Sequence, residues 1–157
     1  MNFIFQIVGI LFLADVDQDI FVKKCLEPVV LIDNEAAQAS GTGFIVKSSK
    51  IKEIDGYFNL VFSCQHIIKS PKARIKKAIY DENAIHKNYE NYQGFLYSTD
   101  NINDLSILFF ISKKQMPTVD INFDFKPKMR DKLFMVGHGL AEPARYAEGK
   151  FTGMSND

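Results

Sequence analysis

Apolar residues along most of this chain arrive in short runs separated by clusters of Gly, Asn, Asp, Pro or Lys, a spacing that favours a β-sandwich or barrel over helices. Six such runs, at 29–32, 42–47, 58–63, 74–80, 92–98 and 105–111, predict strands. In 58–63, Phe58, Leu60 and Phe62 alternate with Asn59, Val61 and Ser63, which makes the phenylalanine side the more apolar face. The run 105–111 is interrupted only by Ser106 and reads as a strand buried on both sides. Six strands are enough for one closed unit. The stretch 113–128, with Pro117 and Pro127 inside it, reads as a connection, and two further runs, 132–136 and 146–152, follow it. The sequence shows no repeat at a fixed period and no low-complexity tract.

Composition agrees with a mostly β chain. Its 157 residues are 46% apolar and 24% charged with a net charge of zero, which suits one globular domain or two small ones. These values exclude a collagen-like or largely disordered chain and argue against a nucleic-acid partner. The 14 Phe and 6 Tyr supply bulk for a core of pleated, half-buried surfaces. The apolar run at 3–14 is shorter than the roughly 20 residues of a spanning helix, so no stable membrane span is expected. Residues 1–19 have two readings. They are a secretory leader cleaved near Ala14, which implies export, or an N-terminal extension whose run 3–14 is a core strand or short helix of a cytoplasmic protein. The absence of Lys or Arg before the run and the bulk of Phe12 weigh against the leader.

Three places carry candidate chemistry. Ser40-Gly41-Thr42-Gly43-Phe44-Ile45-Val46 opens an apolar strand with two glycines, which let backbones approach closely. Ser63-Cys64-Gln65-His66 puts a histidine just past the end of another strand, and a lone histidine there is more often structural than catalytic. Asn103-Asp104-Leu105-Ser106-Ile107-Leu108 puts a carboxylate at the mouth of the most apolar strand, where a lone Asp is usually a turn residue.

In this order the three segments resemble the first half of a chymotrypsin-fold serine peptidase, of the HtrA-like (trypsin-like) branch, from about residue 29 to the C-terminus. In that family a Gly-Ser/Thr-Gly strand precedes a Thr/Ser-x-x-His segment carrying the general base, and an Asp-Leu-Ala/Ser-Val/Ile-Leu strand carries the orienting carboxylate. The later segment Arg130-Asp131-Lys132-Leu133-Phe134-Met135-Val136-Gly137-His138 is similar to the one that opens the family's second barrel, and Ala147-Glu148-Gly149-Lys150-Phe151 to the strand after it. The resemblance implies an all-β, chymotrypsin-like fold. It comprises a complete six-stranded barrel over 20–115, followed over 116–157 by a linker and the first strands of a truncated second barrel. It also implies a serine endopeptidase acting on protein or peptide substrates, with His66 and Asp104 as catalytic residues. A serine hydroxyl becomes a good nucleophile when an imidazole removes its proton and a carboxylate holds that imidazole in the right tautomer.

The departure from the family is the nucleophile. No Gly-x-Ser-Gly-Gly segment occurs, and Gly153-Met154-Ser155-Asn156 lacks the following glycines. The chain is therefore expected to be an N-terminal portion, inactive alone, whose unpaired strand edges favour self-association, including a homo-oligomer. A cysteine peptidase of the same fold, a non-catalytic binding module on this scaffold and an unrelated small β-barrel remain alternatives. No cofactor or metal is expected: His66, His86 and His138 with the two cysteines lack Cys-x-x-Cys or His-x-x-x-His spacing. Cys25 and Cys64 read as buried thiols, or as a pair if the protein is exported. Lys69, Lys72, Arg74, Lys76 and Lys77 read as a solvated face or a protected strand edge rather than a polyanion site.

Overall fold

The computed structural model of the chain describes residues 9–10, 18–35, 38–81, 83, 85–139 and 143–153, with side chains from residue 20 onward. Among them are strands β1 (Gly9–Ile10), β2 (Val29–Asn34), β3 (Ala39–Ile51), β4 (Gly56–Cys64), β5 (Lys72–Tyr80), β6 (His86–Asp100), β7 (Leu105–Ser112), β8 (Lys132–Gly137) and β9 (Arg145–Lys150). Strands β2 to β7 close into an antiparallel barrel in the order β2-β3-β4-β7-β6-β5, and the other three form a sheet in the order β1-β8-β9. The expected all-β, chymotrypsin-like architecture is present. Closure gives every barrel strand two neighbours and leaves no edge.

The barrel strands outrun their apolar runs because ladder hydrogen bonds, which any residue except proline can make, carry them into polar sequence. Strand β6 begins at His86, well ahead of the run at 92–98, and pairs with β5 through Asn88 and Asn91. Inside the barrel, Val30, Ile32, Ile45, Val61, Ile75, Leu108 and Phe110 are fully buried. Each such side chain contributes about 1.5–3 kcal/mol relative to leaving it in water.

Burial decides the inner faces of β4 and β7, and for β7 the expectation is corrected. Strand β4 turns Asn59, Val61 and Ser63 inward, while Phe58, Leu60 and Phe62 are half-buried on its other side. The interior of a six-stranded barrel has room for few bulky groups, so small and bonded polar residues fit it, and the aromatics stack outside. Phe58 and Phe95 each stack on Phe109, with ring centroids 5.3 and 5.4 Å apart. Strand β7 is buried on one side only: Ser106, Leu108, Phe110 and Ser112 point inward, and Ile111 is exposed.

A helical segment was not foreseen. Helix α1 (Gln18–Phe21) runs into a wider turn at Val22–Leu26. Phe21, Val22, Cys25 and Leu26 recur at helical spacing, and they pack with Val29, Phe44, Val136 and Ala144 in a second apolar cluster. This cluster ties the barrel to the smaller sheet. The connection after β7 is also anchored: Met116 is buried in the barrel core, its N–H donates to Ser48 Oγ at 3.0 Å, and the Val119 N–H donates to the Ile45 carbonyl at 2.9 Å.

Of the N-terminal stretch, Gly9–Ile10 pairs with Met135 and Val136 of β8. Ala14 and most of the run 3–14 lie outside the described residues, as does Ser155. No helix among the described residues is long and apolar enough to cross a membrane.

Candidate functional site

Strand register builds the site. Strands β4 and β7 are paired so that Ser63 lies opposite Ser106 and Cys64 opposite Leu105. The chain leaving β4 and the chain entering β7 therefore emerge side by side, with His66 two residues beyond one strand and Asp104 one residue before the other. The Gln65 N–H donates to the Asp104 carbonyl at 3.1 Å, which extends the ladder past the strand ends. Ser106 Oγ lies 3.2 Å from the carbonyl oxygens of both Ser63 and Cys64 and donates to them.

His66 sits in a single 3-10 turn, Gln65–Ile67, anchored by the buried side chains of Ile67 and Ile68. The turn lies hard against Gly41, where a Cβ would come within 2.5 Å of Ile67 Cδ1. That approach accounts for the first glycine of the Ser-Gly-Thr-Gly segment. Asp104 closes the β6–β7 turn in the left-handed region, at φ 52°, a conformation that Asp and Asn tolerate better than most residues. The turn is held by Asp100, whose carboxylate accepts the N–H groups of Ile102 and Asn103 and the Asn103 side-chain amide, at 3.0, 3.1 and 2.6 Å.

The structure brings His66 and Asp104 together. His66 Nδ1 lies 2.6 Å from Asp104 Oδ2, and the His66 backbone N–H donates to Oδ1 at 2.8 Å. Partial burial would raise the Asp104 pKa, but the hydrogen bonds from the His66 ring and backbone, the charge of that ring and the Gln65 N–H outweigh it and hold the carboxyl below its ordinary value. An ionised carboxylate only accepts, so Nδ1 carries a hydrogen, and in the neutral ring Nε2 is left with the lone pair. The arrangement is a fixed imidazole able to accept a proton, with its side chain 47% exposed.

Cys64 joins this pair in space. Its sulfur, a His66 ring nitrogen and an Asp104 oxygen all lie within 4.8 Å of one another. Spacing along the sequence could not bring all three together, because Asp104 enters from a different strand. Cys25 and Cys64 are buried thiols with no disulfide between them, and burial raises the Cys25 thiol to about 11, partly offset by Lys24.

The remaining candidates lie elsewhere. His86 sits against Tyr80 and Tyr89, with ring centroids 6.2 and 4.5 Å apart, and His138 lies 6.4 Å from Tyr89. Of the basic segment, Lys72, Arg74, Lys76 and Lys77 belong to β5, which is bonded to both β2 and β6 and so is not an edge, while Lys69 precedes it. Arg74 pairs with Glu35, Lys76 pairs with Asp33 at 2.8 Å, and Lys77 is buried.

No protein-family model and no curated protein matches the chain. Among solved structures, the serine endoprotease from Yersinia pestis is similar with a TM-score of 0.64 at 18% identity, over 89% of this chain and 46% of that one. Deg5 is similar with a TM-score of 0.62 at 14% identity, over 87% of this chain and 63% of that one. This chain thus spans less than two thirds of the length of either. At such identities the likeness is one of fold, and the fold is that of the HtrA/Deg serine endoproteases.

Proposed function

We propose that the chain carries the base and the orienting carboxylate of a serine endopeptidase acting on protein or peptide substrates. The observation that carries this reading is the double contact of Asp104 with His66, one carboxylate oxygen on the ring and the other on the backbone N–H of the same residue. A carboxylate placed so fixes both the tautomer and the orientation of the imidazole. It also stabilises the imidazolium formed when Nε2 takes the proton of an attacking hydroxyl. The fold shared with the serine endoprotease from Yersinia pestis adds an analogy at the level of fold.

The nucleophile and the amides that would stabilise the oxyanion are not assigned, since Gly-x-Ser-Gly-Gly does not occur in these 157 residues. The test is to express the whole reading frame that contains them and to follow casein hydrolysis and labelling by a fluorophosphonate. His66→Ala should abolish both, and Asp104→Asn should lower turnover by about 10⁴, the cost of the wrong tautomer in this type of triad. Full activity in His66→Ala would remove the proposed base and with it the reading.

A further inference from the structure

We propose that Cys64, His66 and Asp104 form a site for one borderline-soft divalent cation of the Zn²⁺ class, and that occupation of the site takes His66 out of service as a base. The metal site follows from the geometry alone; its regulatory consequence rests on the reading of His66 given above.

Three donors of different chemistry converge here, a thiol sulfur, an imidazole nitrogen and a carboxylate oxygen, with all three atoms within 4.8 Å of one another. With bonds of about 2.0–2.3 Å to N, O and S, the edges of a tetrahedral site run to about 3.3–3.8 Å. Oδ2 and Nδ1, now 2.6 Å apart, must open by about 1 Å, and the sulfur, within 4.8 Å of both groups, must close by no more than about 1.5 Å. Rotation of the partly exposed His66 and Asp104 side chains, apart from each other and toward the buried sulfur, supplies such movements. The set suits Zn²⁺ or Cd²⁺, since Mg²⁺ and Ca²⁺ require mostly oxygen ligands in larger numbers. Cys64 is buried at the floor, while the side chains of His66 and Asp104 are 47% and 25% exposed, so solvent reaches the site and a water can complete the tetrahedron.

Charge and protons balance. The thiolate and the carboxylate together neutralise the divalent cation. On binding, the S–H bond of Cys64 breaks and its proton goes to solvent. The cation takes the Nδ1 lone pair of His66, and the imidazole then carries its hydrogen on Nε2 in place of Nδ1. One proton is released in all. An Nε2 that bears a hydrogen cannot accept one from a nucleophile, so the loaded site is closed to base catalysis.

The test is titration of the full chain with Cd²⁺, read by the ultraviolet thiolate-to-cadmium charge-transfer band, and with Zn²⁺ by calorimetry, without any substrate. One equivalent should bind with the thiolate band. Cys64→Ser should remove the band, and His66→Ala should weaken binding by at least about 100-fold, beyond the ~10–100-fold that outer partners of a metal site are worth. Cys25→Ser should bind as the parent does. Thermal melts confirm that each variant is folded, and should Cys64→Ser not fold, the half-exposed His66 carries the test. The proposal falls if the band is absent, if it is lost in Cys25→Ser in place of Cys64→Ser, or if His66→Ala leaves the affinity unchanged, which would put the ion on the thiol alone. Because binding is read apart from hydrolysis, it stands or fails independently of the peptidase reading. Zinc-inhibited hydrolysis in the parent and zinc-insensitive hydrolysis in Cys64→Ser would join the two.

Discussion

The Thr42 hydroxyl accepts the backbone N–H of His138 at 2.8 Å, joining barrel strand β3 to the segment that leaves β8. Gly137 comes so near that a Cβ there would lie 3.0 Å from the same hydroxyl oxygen. The Thr42 carbonyl in turn accepts Ser63 Oγ at 2.8 Å. One residue of the glycine-rich segment therefore links β3, β4 and the smaller sheet.

Thr42→Val keeps the side-chain shape and removes the acceptor of a part-buried N–H. Leaving such a donor without its acceptor costs about 1–3 kcal/mol. For a chain of this length each kcal/mol lowers the melting temperature by about 2–4 °C. Differential scanning calorimetry should show a drop of several degrees, and Thr42→Ser, which keeps the hydroxyl, should lose less than half as much. An unchanged Tm in Thr42→Val would mean that the bond contributes nothing.

Gly43 occupies a site where a Cβ would meet Val61 Cγ1 at 2.6 Å and Ile32 Cδ1 at 3.0 Å, both in fully buried residues. Gly43→Ala should therefore overpack the barrel, at a cost of about 1–3 kcal/mol. Gly149→Ala has open space around it and should stay within about 0.5 kcal/mol of the parent. Adding Val61→Ala to Gly43→Ala makes room for the new methyl, so urea unfolding should find the double variant more stable than the sum of the single losses predicts. Strict additivity would show that the contact with Val61 is not the cause.

The depressed Asp104 pKa has a definite pH signature. Burial pushes the carboxyl up, yet the His66 and Gln65 contacts bring it below the ordinary value of 3.8. A group with a lower pKa in the folded state contributes stability that is fully present above its unfolded value and is lost as pH falls through the folded value. Asp104→Asn can keep the left-handed backbone but carries no charge. The gap in urea midpoint between parent and variant should be widest near neutrality and should narrow through the acidic range. A gap independent of pH would mean that the ionised carboxylate is not the source.

Strand existence was legible in the sequence, and strand faces were not. The runs at 29–32 and 42–47 fall within β2 and β3, because buried ladders need apolar side chains there. Alternation showed that the two faces of β4 differ but not which of them is inside: Phe58 and Phe62 outweigh Asn59 and Ser63 in apolarity, yet the narrow interior takes the smaller residues. The helical stripe of Phe21, Val22, Cys25 and Leu26 was present as spacing but too short to stand out from its neighbours. The meeting of His66 with Asp104 was legible only through the order of motifs in a known family. That Cys64, two residues before His66, also comes near Asp104 depends on the β4–β7 register, which is a property of the pairing and not of either segment.

Asn59 gives the sharpest test of the barrel interior. It is fully buried, and its Nδ2 donates to the carbonyl oxygens of Tyr57 and Phe110 at 3.1 and 3.3 Å and to Ser112 Oγ at 2.8 Å. Ser112 Oγ donates onward to the Lys114 carbonyl at 2.6 Å, so its hydrogen is engaged and it acts as an acceptor toward Asn59. Every partner of Nδ2 is thus an acceptor. Asn59→Ala loses these bonds and leaves a small void. Asn59→Asp has nearly the same shape but turns an oxygen toward three oxygens, and relief requires protonating a buried carboxyl. Breaking a buried polar network costs about 1–3 kcal/mol, and burying an unpaired charge costs more. At neutral pH the order of unfolding midpoints should therefore be parent, then Asn59→Ala, then Asn59→Asp, with Asn59→Asp recovering part of its deficit in acid as the carboxyl takes up a proton. Should Asn59→Asp prove as stable as the parent at neutral pH, Nδ2 would not be donating to these three oxygens, and the interior face assigned to β4 would be wrong.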